Sequence, residues 1–195
     1  MTYRKKEVRD FLISILVLGF LFSLPKITAV SLVASFIIVS LTFGLHEIAH
    51  RNVARKFGAY SEYKMWPSGL LFALILGIIS GGRIIFAAPG AVYISSLKIL
   101  RWKGEYESIK NEEYGVISIV GPLTNLFLAL IFLILNAFYS WWFFSMGASI
   151  NMIVALFNLL PIPPLDGAKV MAWDRKVWFF VFMASLIGWI GISFI

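Results

Sequence analysis

Residues 46–50 read His-Glu-Ile-Ala-His, and these two histidines are the only ones in the chain. On a helix, positions four apart stack on one face. His46 and His50 can therefore present two imidazole nitrogens to one Zn²⁺, each about 2.0–2.1 Å from the ion. Glu47 then points beside them, toward a water activated by the metal. Zinc lowers the pKa of such a water toward about 7, and a carboxylate takes its proton as hydroxide attacks a polarised carbonyl. The chemistry implied is zinc-dependent hydrolysis of a peptide bond, with Glu47 as the base. The plain alternative is a polar triplet capping the wet end of an apolar segment just before Arg51. Ionisable groups so close to bilayer depth are costly unless they are used.

A catalytic zinc with two histidine ligands usually takes a third from the protein. The chain has no cysteine and no further histidine, so the third must be a carboxylate. Of ten acidic residues, eight lie in polar ends and loops: Glu7, Asp10, Glu62, Glu105, Glu107, Glu112, Glu113 and Asp174. Only Glu47 and Asp166 remain, and Asp166 closes the run Asn158-Leu-Leu-Pro-Ile-Pro-Pro-Leu-Asp166-Gly167. Its plain alternative is an N-cap aspartate opening a short helix at Gly167.

The elements that must hold these residues are membrane helices. The 195 residues are 60% hydrophobic and 14% charged, with mean hydropathy +0.88, far from the composition of soluble domains. Several apolar runs approach the roughly 20 residues that a helix needs to cross a hydrocarbon core. The predicted fold class is an all-α polytopic membrane protein, one transmembrane domain over 1–195, in the cell membrane with the lipid bilayer as partner. A formal charge of +7 could indicate nucleic acid, but the basic residues sit in short clusters between apolar runs, as topology determinants do, so no nucleic-acid partner is expected. Without cysteine, the redox character of the compartment is not readable. Arg4, Lys5 and Lys6 precede an apolar run with no small-residue cleavage site after it, so a retained span is expected rather than a cleaved signal.

If cytoplasmic loops carry the Lys/Arg excess, the N-terminus lies inside. Span one is expected over about 8–24 and span two over about 27–50, reversed by Pro25-Lys26 and returning to Arg51, Arg55 and Lys56. Residues 69–97 begin after one inside cluster and end at another, Lys98, Arg101 and Lys103. One crossing cannot satisfy both. A re-entrant element fits, punctuated by Gly77, Gly81, Gly82, Pro89 and Gly90. It is either a β-hairpin or two short helices with a Gly-rich bend. Arg83 within it snorkels by default. A solvated cytoplasmic loop is expected over about 98–114, then span three over about 115–137, an aromatic belt at Tyr139, Trp141 and Trp142, span four over about 144–162 and a fifth over 177–195. Asp166 then lies at the cytoplasmic level of His46 and His50.

With these motifs in hand, the chain resembles the site-2 proteases, intramembrane zinc metallopeptidases, over most of residues 40–170. HExxH ends an early span, Asn-x-x-Pro-x-Pro-x-x-Asp-Gly lies on a later one, and Gly121-Pro-Leu-Thr-Asn125 is similar to the family's Gly-x-x-x-Asn element. The resemblance implies Asp166 as third zinc ligand and Asn158 in substrate positioning. Asn125 could bind an extended substrate backbone or another span, and Gly121 allows close helix packing. The element at 69–97 falls where the family carries a re-entrant β-element thought to hold substrate as an added strand. Unlike in larger relatives, no PDZ-like module is expected from these residues. The implied substrate is a transmembrane protein, its cleaved segment locally unwound. Rival readings are a zinc-binding membrane transporter and a relative that binds membrane segments without cutting them. Oligomeric state is not readable.

Overall fold

The computed structural model describes residues 3–87, 89–100 and 105–192. Helix α1 (Tyr3–Ser23) runs into a one-turn 3₁₀ segment at Leu24–Lys26, where Pro25 breaks the α pattern, and the chain reverses into α2 (Ala29–Lys56). Thr28 starts α2 through a capping box. Its hydroxyl accepts the Ser31 N–H at 3.0 Å, and the Ser31 hydroxyl accepts the Thr28 N–H at 2.9 Å. The two helices close tightly because Gly19 lies under the Phe36 ring and Ser35 donates to the Gly19 carbonyl at 2.6 Å. Leu18 and Leu21 of α1 meet Ile38 and Val39 of α2 and Val154 of α5 (Trp142–Asn158) in the main apolar cluster.

Val30, Val33, Ile37, Leu41, Leu45 and Ile48 form an exposed stripe down α2, at the three- and four-residue spacing of one helix face. Such a face is stable in hydrocarbon, and it marks the lipid-facing side of a multi-pass membrane protein. α1, α2, α4 (Asn111–Tyr139) and α7 (Arg175–Ile192) are long and apolar enough to cross a membrane. The fourth expected span is α5, apolar but only 17 residues long, about 25 Å at 1.5 Å per residue. Pro161, Pro163 and Pro164 follow it and cannot continue a helix. The chain then turns into a separate short helix, α6 (Asp166–Trp173). Asp174 leaves helical geometry and its carboxylate accepts the N–H groups of Lys176 and Val177 at 2.7 and 3.0 Å, so α7 begins at once. α4 packs on α2, α5 and α6, and α5 also packs on α7.

The stretch 69–97 is neither the β-hairpin nor the helix pair expected. Its first half is a helix, α3 (Pro67–Ile79), started by a proline at its first position. It is ended by Gly81 and Gly82, whose φ values of 61° and 77° suit glycine. Its second half is a strand, β2 (Gly90–Leu100), paired antiparallel with β1 (Ala59–Met65), a segment left unassigned by the sequence. A pairing across α3 leaves no local turn signal, so sequence reasoning could not see it. The loop expected over 98–114 is likewise structured: β2 runs to Leu100, β3 (Glu105–Ser108) pairs with it, and α4 starts at Asn111. Arg101 and Lys103 lie outside the described residues. Arg83 is exposed.

The sheet is tied to the helices by Glu7 of α1. Its carboxylate pairs with Arg51 of α2 and accepts the backbone N–H of Tyr63 in β1 at 3.0 Å. The Tyr63 hydroxyl donates to Ser14 at 2.8 Å, and burial pushes this phenol above its ordinary pKa, so it remains a donor. Glu7→Ala removes both contacts and is expected to lower stability by about 1–3 kcal/mol, measured as a lower Tm in detergent. An unchanged Tm rejects this account of how β1 is anchored.

Candidate metal centre

His46 and His50 lie in the last three turns of α2, on the face turned to α4 and α6, and both are at most 3% exposed. Asp166 is the first residue of α6 and is also buried. Its carboxylate makes no capping bond to its own helix, so the N-cap alternative does not hold. Instead Asp166 Oδ2 stands 3.0 Å from His50 Nε2 and 3.3 Å from His46 Nε2, and the two Nε2 atoms are 2.9 Å apart. A tetrahedral ion with bonds of 2.0–2.1 Å separates its ligand atoms by about 3.3 Å, so the three donors already have the spacing of one face of such a site.

The opposite ring nitrogens are each held by an acceptor. His50 Nδ1 lies 2.6 Å from the Ile117 carbonyl, which can only accept, so Nδ1 holds the proton. His46 Nδ1 lies 2.5 Å from Asn125 Oδ1. Asn125 is oriented by its own donors, since Nδ2 gives to the Thr42 carbonyl at 3.2 Å and to Asn151 Oδ1 at 3.1 Å. With Nδ1 of each ring engaged by an acceptor, both Nε2 atoms face the Asp166 carboxylate oxygen, and these are the nitrogens a metal ion would take. A divalent ion placed between them would be bound by all three atoms at once. His46, His50 and Asp166 are the described group that could hold a metal ion. Burial alone would raise the Asp166 carboxyl, but the His50 ring and the Lys169 ammonium, 3.3 Å from Oδ1, outweigh it and hold Asp166 well below the usual carboxylate range.

Glu47 lies beside the three. Its Oε2 is buried without a hydrogen-bond partner among the described residues, and the residue borders a cavity of about 10 Å³ lined also by His46, His50 and Asp166, by Gly90 to Val92 of β2, and by Asn158, Pro164 and Leu165. That volume holds one water-sized group. A far larger groove, about 740 Å³, runs along α5 between Trp142 and Leu160 and contains none of these residues. Asn158 donates to the Val154 carbonyl at 3.0 Å and borders the small cavity.

Of the two roles considered from sequence for Asn125, a substrate backbone or another span, the contacts present are to other spans. It is fully buried, and its amide is spent on His46, Thr42 and Asn151 inside the protein. It orients the His46 ring, because an amide between three spans satisfies polar groups that lipid could not. Asn151, missed from sequence, completes this chain and donates to the Gly147 carbonyl at 2.9 Å; the available signal was a lone amide in an apolar run. Gly121 has a sharper reason than packing: a Cβ there would strike the Nε2 atoms of both histidines.

Residues 139–173 match the model of peptidase family M50. The chain is 39% identical over 192 residues to a protein of Methanocaldococcus jannaschii named as a candidate zinc metalloprotease, covering 96% of this chain and 94% of that one. A Bacillus subtilis protein of the same designation is 31% identical over 153 residues, 70% of this chain and 67% of its own length. No solved structure matches the chain.

Asn125→Ala deprives His46 of its acceptor and should weaken zinc binding about 10–100-fold, whereas Gly121→Ala should lower zinc content directly by crowding the ligand face. Metal analysis of the purified proteins after dialysis against a chelator series measures both. Wild-type zinc retention in either variant contradicts the corresponding role.

Proposed function

The chain belongs to peptidase family M50, and on that premise we propose that it is an intramembrane zinc endopeptidase that cuts transmembrane segments of other membrane proteins near the cytoplasmic face. The observation that carries this reading is the placement of an unpartnered Glu47 oxygen and a strand edge around the same small cavity as the His46, His50 and Asp166 lone pairs.

Zinc, when bound there, supplies a Lewis acid that polarises a carbonyl and makes water acidic. The protein's own groups do the rest. His46, His50 and Asp166 are the ligands, held in tautomer and orientation by Asn125 and the Ile117 carbonyl. Glu47 is the base that takes the proton of the attacking water and passes it to the leaving amine. A helical substrate hides each carbonyl in its own hydrogen bonds, so the cut segment must unwind. β2 supplies an edge on which the extended segment replaces those bonds, and Asn158, at the cavity wall, contacts the substrate backbone. The site lies at the Arg51, Arg55 and Lys56 end of α2; an inward position for this basic end, and for the N-terminus, follows from the Lys/Arg bias of cytoplasmic loops. Water then reaches the ligands without crossing the bilayer.

Glu47→Gln is isosteric and is not a ligand in this scheme. It should retain stoichiometric zinc while cleavage of a membrane-embedded test protein falls by at least about 100-fold. Zinc analysis and mass-spectrometric mapping of products from a panel of single-span proteins check it, and undiminished turnover by the variant sinks the proposal.

A further inference from the structure

The two carboxylate oxygens of Asp166 have different partners. Oδ2 stands 3.0 Å from His50 Nε2 and 3.3 Å from His46 Nε2. Oδ1 accepts a hydrogen bond from the Lys169 ammonium at 3.3 Å. The Asp166 side chain is 7% exposed and that of Lys169 23%, so a partly exposed cation meets a buried carboxylate.

Helix geometry allows this contact without accounting for the lysine. α6 begins at Asp166, and Lys169 follows three residues later on the same face. The N–H groups that open a helix carry partial positive charge, which favours carboxylates in the first turn and cations in the last. Asp166 follows that rule, whereas Lys169, fourth of eight residues, does not lie where the helix itself favours a cation. A pair at this spacing can simply stabilise a helix, and it would do so through either carboxylate oxygen. The pair in α6 takes the oxygen that the histidines leave over. Asp166 borders the small cavity beside Glu47 and Lys169 does not, so the lysine acts through Asp166.

We propose that Lys169 is a positioning residue for the metal site: by holding Oδ1 it limits Asp166 to one ligating oxygen, Oδ2, and keeps the fourth position of a tetrahedral ion open. This inference rests on the metal-site reading above. A carboxylate can bind an ion through one oxygen or through both. With one, the protein supplies three donors, His46 Nε2, His50 Nε2 and Asp166 Oδ2, and a catalytic zinc keeps its fourth position for water or substrate. With both, Oδ1 would crowd the side of the ion where that exchange takes place. An ammonium has three donors and no acceptor. It therefore competes for Oδ1 without becoming a ligand itself.

The test uses the full chain in detergent, loaded with Co²⁺ in place of zinc, as wild type and as Lys169→Met, Lys169→Gln and Lys169→Arg. Four-coordinate Co²⁺ absorbs visible light more strongly than five-coordinate Co²⁺, so the spectrum reads the number of ligating atoms. The wild type and Lys169→Arg should give the strong four-coordinate spectrum. Lys169→Met and Lys169→Gln should give the weaker five-coordinate one, with cleavage of a membrane-embedded test protein falling about 10–100-fold. Tm identifies the folded variants, and a contact that only stabilises α6 would lower Tm without changing the spectrum. A four-coordinate spectrum in the folded Met or Gln variant, or a five-coordinate spectrum in the wild type, overturns the inference and leaves the metal site standing. Failure of both uncharged variants to fold makes the contact a structural one and likewise overturns it. A wild type that takes up neither Co²⁺ nor zinc overturns the site and the role of Lys169 with it.

Discussion

The 2.5 Å contact between His46 Nδ1 and Asn125 Oδ1 joins the end of α2 that carries the candidate metal site to the middle of the bundle. It is one link in a chain of amides: Asn125 reaches back to the Thr42 carbonyl of α2 and across to Asn151 of α5, which is bound to the Gly147 carbonyl. In hydrocarbon each of these groups would cost free energy if left alone, so their mutual satisfaction fixes how α2, α4 and α5 meet. The same contact fixes the tautomer of His46 and aims Nε2 at Asp166. Polar satisfaction in a low-dielectric interior and preparation of the ligand set are therefore one requirement.

Close approach is the second condition. The His46 and His50 rings reach Asp166 only because α4 crosses them at Gly121, where a side chain would occupy the ring edges. Pro122 follows and gives no N–H to the turn, while the Ile117 carbonyl below accepts from His50. Gly115 lies under the Trp173 ring, which lets α6 sit flush on α4. Gly167 lies against the Leu159 and Leu160 carbonyls, so the proline-rich connection folds back over the start of α6. Trp178 clamps that connection from α7 by donating to the Leu159 carbonyl at 2.8 Å. Each glycine marks a place where backbone or ring must come nearer than any Cβ allows, and together they set the depth of Asp166.

The sheet answers a different need. A strand edge is a row of unpaired amide groups, ordinarily a liability. Here β1 is covered by α1 through Glu7, and β2 is covered in part by β3 and by Tyr114. Among the described residues, what remains uncovered lies beside Glu47, His46, His50 and Asp166.

The sequence by itself determined the membrane class, since 60% apolar residues in long runs have no stable arrangement in water. It also pointed to the group that could hold a metal ion, because helical periodicity puts His46 and His50 on one face and the scarcity of other donors leaves Asp166. These are local or compositional facts, and the structure brings the three donors within 3.3 Å of one another. Tertiary structure alone decided that Asn125 serves His46, that Asn151 supports it, and that 59–65 pairs with 90–100 across a helix. An amide's partner depends on which spans become neighbours, and a strand's partner on a contact some thirty residues away, whose loop closure leaves no mark in local propensity. The uncovered edge of β2 belongs to the same class, because edge and interior are properties of a sheet and not of the strand that enters it.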